Sequence, residues 1–174
     1  NINWNELEIQ IWEQRQSGKP LRLIIDQNIP TSILWAASYS AAHVLQINVN
    51  MTKPIDSMEW ITILAHAAER CGLYFMLMVY PIIPKVVKVK DVLSVIDTVR
   101  ALPYCKIKLR FAEFTNPKVT QSDTYVNVNG VAMSKTLMNR NKVGRWKCSL
   151  NYQREFLSLI QAYTDSHKLI VDIC

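Results

Sequence analysis

Two apolar periods alternate along the chain, and together they lay out a series of helices and strands. Residues 3–16 put Trp4, Leu7, Ile11 and Trp12 at helical spacing with Glu6, Glu8 and Glu13 between them, and SGKP at 17–20 stops the pattern. This predicts an amphipathic opening helix. LRLIID, residues 21–26, is a short apolar run closed by QNIP, the pattern of a buried strand. Thr31 or Ser32 then caps a helix through ILWAASYSAAHV.

The same grammar repeats twice. LQINVN, residues 45–50, alternates as a half-buried strand, KPIDS turns the chain, and Asp56 or Ser57 caps MEWITILAHAAERC. The stripe Trp60, Ile61, Leu64, Ala67, Ala68 and Cys71 makes this segment a helix, stopped by Gly72. LYFMLMVY, residues 73–80, is apolar on both faces, as a central strand covered by helices would be, and PIIP marks its end. KVKDVLSVIDTVRAL, residues 88–102, carries Val89, Val92, Leu93, Ile96, Val99 and Leu102 on one face. KIKLRFAEF then alternates Lys106, Lys108 and Arg110 against Ile107, Leu109 and Phe111, so the three cations share one side of a strand. Successive strand and helix pairs with short connections predict an α/β fold, a two- or three-layer sandwich on a mainly parallel or mixed sheet of four to six strands.

After Thr115 the rhythm breaks. NPKVTQSD reads as a loop, TYVNVNG as an exposed strand ending in a turn at Asn129 and Gly130, and the stretch beyond it as irregular. LNYQREFLSLIQAYTDSHK is helical through Leu150, Phe156, Leu157, Ile160 and Tyr163, and LIVDIC is expected to close the sheet as an antiparallel edge. Without a linker or a low-complexity segment, the expectation is one domain over 1–174, regular over 1–115 and irregular and basic over 116–174.

Composition adds a globular profile: 49% hydrophobic and 20% charged, with four Gly and seven Pro. A chain of this length buries about two-thirds of its unfolded surface, enough for a core without staples. Charge changes the picture more. Residues 1–100 hold nine Lys or Arg and nine Asp or Glu, whereas residues 101–174 hold eleven against five and carry the whole surplus of six. Such an asymmetry favours a polyanionic partner or an acidic surface. The longest apolar run, residues 73–84, is too short to cross a bilayer and contains two prolines, so no membrane span is expected.

Cys71, Cys105, Cys148 and Cys174 form no CxxC pair and the histidines are scattered, which disfavours a zinc site and makes reduced core thiols the expectation. That points to cytoplasm or nucleus. The chain starts at Asn1 and not at Met, so a processed or excised piece is expected and a cleaved signal peptide stays open. The glycines stand isolated, without a dinucleotide fingerprint or a phosphate loop, and no cofactor is expected.

Asp26, at the end of a strand, is the strongest enzymatic candidate. With Asp56, Glu59 or Asp91 it can hold a divalent metal through carboxylate oxygens; the alternative role is a helix cap or turn residue. LRLIIDQNIP resembles the opening of the PIN-type metal-dependent ribonucleases, whose first strand ends in a metal-binding acid, although LYFMLMVYPIIP supplies no later acid of that family. The resemblance implies a metal-dependent nuclease using Asp26. His66 and Glu69 share a helix face as a general-base pair, as two metal ligands or as an ordinary surface contact, and Cys71 sits on the apolar stripe where burial makes a thiol inert. Residues 53–84 resemble the small periplasmic domains that surround secretin-type pores, in the Pro-Ile-acid turn, the helix ending in an aromatic strand and the closing prolines. That resemblance implies an assembly component.

The densest signal is basic. Residues 101–154 carry ten Lys or Arg against two acids, interleaved with Tyr104, Phe111, Tyr125, Trp146 and Tyr152 and with Asn127, Asn129, Asn139, Asn141 and Asn151. Cations neutralise phosphates, rings stack on bases and amides read base edges. The expected function is therefore a non-catalytic binding module for RNA or DNA. Its contacts are Lys106, Lys108, Arg110, Lys135, Arg140, Lys142, Arg145, Lys147 and Arg154, with Trp146 and Tyr152 for stacking. The alternatives are a protein assembly or scaffold part and the nuclease built on Asp26; lysines alternating along a strand also protect sheet edges, and the other role for Trp146 is to anchor its loop in the core.

Overall fold

The computed structural model describes residues 2–37, 43–53, 57–102, 105–115, 118–122, 125–141, 144–165 and 169–174. In chain order its elements are α1 (Trp4–Gln16), β1 (Arg22–Ile25), α2 (Ser32–Ala36), β2 (Val44–Asn50), α3 (Glu59–Arg70), β3 (Tyr74–Ile82), α4 (Val89–Asp97) and β4 (Lys106–Phe111). Then follow β5 (Glu113–Phe114), β6 (Val119–Gln121), β7 (Tyr125–Val128), β8 (Val131–Ser134), β9 (Met138–Arg140), β10 (Trp146–Cys148), α5 (Leu150–Thr164) and β11 (Ile170–Ile173).

Local chemistry fixes the helix starts. Asn3 Oδ1 accepts from the Glu6 amide, Ser149 Oγ accepts from the Tyr152 amide, and the Lys88 amide donates to Asp91 Oδ2 at 2.9 Å. On α3 the capping position falls to Met58, while Ser57 Oγ accepts from the Glu59 amide; Asp56 lies outside the described residues.

β1, β2, β3, β4 and β11 form a five-stranded sheet in that spatial order, and every pair in it is parallel. The expected antiparallel edge is therefore corrected: α5 carries the chain back so that β11 runs alongside β4 in the same direction. Because strand order equals chain order, every crossover steps the same way. Right-handed crossovers of that kind place all intervening helices on one face.

The packing agrees. Leu45, Ile47, Leu77, Val79, Ile107, Leu109 and Val171 point into one core with Ile11 of α1, Ile33 of α2, Leu64 of α3, Ile96 of α4 and Ile160 of α5. The alternate residues, among them Ile24, Val44, Tyr74, Met76, Met78 and Ile170, belong to neither apolar cluster. Among the described residues no helix joins the apolar residues on the other face of LYFMLMVY, where Met78 is nonetheless buried and Met76 and Tyr80 are half-buried, so the described sandwich has two layers. A parallel sheet usually hides both faces. This one has the winding of a (β/α) barrel wall opened out, with one side free of helices among the described residues.

The segment between Thr115 and α5, in which only TYVNVNG is expected to form a strand, is a small β-lobe; that strand and its turn are present as β7 and the turn into β8, with Val126 and Val128 buried and not exposed. β5, β10 and β9 make one antiparallel sheet, and β6, β7 and β8 make another. β7 and β8 join through Asn129 and Gly130, both at positive φ (50° and 84°), the backbone that a two-residue hairpin needs. Val126, Val128, Met133, Met138, Trp146 and Cys148 form its core, which meets the main core through Ile83, Phe111 and Tyr152. Phe111, Tyr152 and Phe156 pack ring to ring at 5.6–6.0 Å between centroids. No helix among the described residues is long and apolar enough to cross a membrane.

Candidate nucleic-acid interface

Arg110 stands at the end of β4, where the chain leaves the parallel sheet. The Ala112 amide bonds the Ile82 carbonyl at 2.9 Å and delivers Glu113 into β5. Antiparallel pairing then sets Lys147 of β10 opposite Glu113 on one side and opposite Asn139 of β9 on the other. The turn from β9 to β10 is tied by Asn141, whose Oδ1 accepts from the Arg145 amide at 2.9 Å, and Gly144 supplies a φ of +81°. A Cβ added to Gly144 would stand 3.5 Å from Arg140 Nη2, an ordinary contact, so it is the positive φ and not space that favours glycine here.

Two cavities adjoin along the Arg110 to Glu113 wall. The larger, about 540 Å³, is lined by Arg110, Glu113, Asn139, Arg140, Lys147 and Gln153 among others; the smaller, about 330 Å³, by Tyr80, Pro81, Arg110, Glu113 and Arg145. Both open at the carboxyl ends of parallel strands, where such sheets receive ligands. Four cations line these cavities with one carboxylate. Glu113 pairs with Arg145 at 3.4 Å and with Lys147 at 3.8 Å, while Arg110 and Arg140 have no acidic partner among the described residues. Both ion pairs are substantially exposed, so each holds its cation with no more than about 1 kcal/mol and can exchange for an incoming anion.

The remaining predicted contacts are dispersed. Lys106 and Lys108 lie on the helix-free sheet face, with Lys108 Nζ 3.7 Å from Asp172 Oδ2. β4 is interior to the sheet, so its alternating lysines protect no edge. Lys135 is exposed between β8 and β9, and Arg154 is exposed on α5. Lys142 and Tyr104 lie outside the described residues. Trp146 requires a correction: it is 8% exposed inside the lobe core, and its ring is a packing element, not a stacking platform. Tyr152 is half-buried in the ring cluster, where burial first and Cys148 second push its phenol up to about 12. Tyr80, Glu113 and Gln153 were missed. Only the register of strands distant in sequence reveals them.

The other chemical candidates stay apart. Asp26 is exposed at the end of edge strand β1, Glu59 is exposed at the start of α3, and Asp91 bonds the Lys88 amide. Among the described residues no three His, Cys, Asp or Glu side chains are placed to hold a metal ion. His66 Nδ1 lies 3.9 Å from Glu69 Oε2 on an exposed helix face. Burial raises the thiols of Cys71, Cys105 and Cys148, the last two to about 12. No family model, curated protein or solved structure matches the chain.

Proposed function

We propose that this chain is a non-catalytic nucleic-acid-binding module whose phosphate contacts centre on Arg110, Arg140, Arg145 and Lys147. The observation that carries the reading is the convergence of these four cations, from three strands and a turn, on two adjoining cavities where one acid, Glu113, pairs with Arg145 and Lys147 alone. A small acid needs one cation pair. Here the positive surface continues from the cavities through Lys108 to Lys106 along β4, over roughly 13 Å at strand rise, which suits a polymer of charges.

The test is a salt titration of binding to mixed-sequence single-stranded RNA. With four to six phosphates engaged, log K falls with log[salt] at a slope of roughly −3 to −4, at about −0.7 per phosphate. Arg140→Ala with Lys147→Ala makes the slope shallower by about 1.4 and weakens binding at every salt concentration. Absence of binding at low salt overturns the proposal.

A further inference from the structure

We infer that the nucleic acid is single-stranded and lies across the helix-free face of the parallel sheet, with phosphates on β4, base faces on β3 and base edges on β2. This rests on the reading above and extends it from the cavities to a path.

Side chains alternate along a strand, so each strand offers one row to this face. β4 presents Lys106, Lys108 and Arg110; β3 presents Tyr74, Met76, Met78 and Tyr80; β2 presents Gln46, Asn48 and Asn50. The register aligns them laterally: Gln46 with Met76 and Lys106, Asn48 with Met78 and Lys108, Asn50 with Tyr80. Neighbouring strands stand about 4.8 Å apart, so a cationic row, a ring-and-thioether row and an amide row run side by side within about 10 Å. A splayed polynucleotide presents phosphate, base face and base edge in that same lateral order.

The ends of the path fit as well. Tyr74 is 60% exposed at one end, and Tyr80 at the other lines the smaller cavity with Arg110 and Arg145, so the track leads into the interface. Gln46 Nε2 donates to Asn48 Oδ1 at 2.8 Å, which leaves the Asn48 amide hydrogens as the donors of that row. Gln46 and Met78 are buried, 6% and 9% exposed, so the base contacts fall on Tyr74, Met76 and Tyr80 and on Asn48 and Asn50, and Ile24 and Ile170 border the face.

Competing occupants satisfy less. A duplex offers phosphates and leaves the tyrosine and amide rows unused. A second copy laid face to face would set Lys106, Lys108 and Arg110 against the same cations with only Asp172 to offset them, a like-charge contact. An extended acidic peptide matches the cation row alone.

The experiment compares a short fluorescein-labelled single strand of mixed sequence with its blunt duplex, by anisotropy at low salt. Circular dichroism checks the fold of each variant. The single strand should bind tighter, and Tyr74→Ala should weaken it about fivefold or more, as loss of one base stack does, while Tyr74→Phe keeps the ring and binds like the parent. Lys106→Gln with Lys108→Gln should make the salt slope shallower by about 1.4. Equal affinity for duplex with Tyr74→Ala silent, while Arg140→Ala with Lys147→Ala still weakens binding, overturns this path and leaves the cavity interface standing. Poly-glutamate competing as well as the single strand overturns it too. So does a dimer in sedimentation that Ile24→Lys and Ile170→Lys disperse. No binding of either nucleic acid overturns both proposals together.

Discussion

In the parallel sheet, Leu45, Leu77, Ile107 and Leu109 have no exposed surface and lie beneath five helices; in the lobe of residues 113–148, strands of two to four residues close around Met133, Met138 and Trp146. The sheet owns its core. The lobe borrows part of its own, through Ile83, Phe111 and Tyr152, from the larger neighbour. Yet three of the four cations that meet at the cavities, Arg140, Arg145 and Lys147, belong to the lobe. Binding groups thus sit on the region with the thinner apolar support, where local opening costs least.

The sharpest way to break that contrast is to empty each core in turn. Trp146→Ala should cost about 3–5 kcal/mol and Leu77→Ala about 2–5 kcal/mol. The consequences should differ in extent. Trp146→Ala should expose the amides of residues 113–148 to hydrogen exchange and abolish RNA binding while the sheet stays protected; Leu77→Ala should lower protection everywhere. If Trp146→Ala unfolds the whole chain in one transition, the two regions are one cooperative unit and the contrast fails.

What could be read from the residues follows the same division. The helices were legible because a 3.6-residue period over nine or more residues is hard to mimic, as α1, α3, α4 and α5 show. Of the lobe only β7 and its turn at Asn129 and Gly130 were legible, because β6, β9 and β10 have three residues each and carry too few alternations to register. The free sheet face was hidden for another reason. Met76 and Met78 look alike in LYFMLMVY, yet Met76 is half-buried and Met78 buried, and neither joins the apolar core under the helices; apolarity says what a side chain is and not what covers it. The charge run itself was plain, whereas its convergence depends on Lys147 pairing with Glu113 across distant strands, and Trp146 was misassigned because a tryptophan among cations looks the same stacked or buried.

Buried thiols lie in both regions, Cys71 and Cys105 in the main core and Cys148 in the lobe, and burial lifts Cys105 and Cys148 from 9.0 to about 12. In the unfolded chain the thiols ionise near 9, so between pH 9 and 12 the unfolded state binds fewer protons than the folded one. Stability from this source is complete below about pH 9 and is lost as pH rises toward 12. The urea midpoint should therefore fall over that window, and Cys148→Ala should flatten the fall for lobe probes while Cys105→Ala flattens it for sheet probes. A midpoint independent of pH up to 12 would contradict this account.

The smallest expected effect tests whether the sheet takes part in binding at all. Asp172 on β11 faces Lys108 at 3.7 Å, with the two side chains 51% and 23% exposed. Such a pair is worth about 0.2–1 kcal/mol, so Asp172→Asn should shift the thermal midpoint only slightly. Its effect on binding should have the opposite sign. The carboxylate competes with a phosphate for the Lys108 ammonium and repels any strand crossing the face, so its removal should tighten single-stranded RNA binding by a few fold at low salt, an advantage that fades as salt screens it. Glu113→Gln acts differently, because Glu113 also holds Arg145 and Lys147 in place. If Asp172→Asn leaves affinity unchanged at low salt while the lobe variants weaken it, Lys108 meets no phosphate, and the division of labour is complete: the sheet carries the fold, and the lobe with Arg110 carries the ligand.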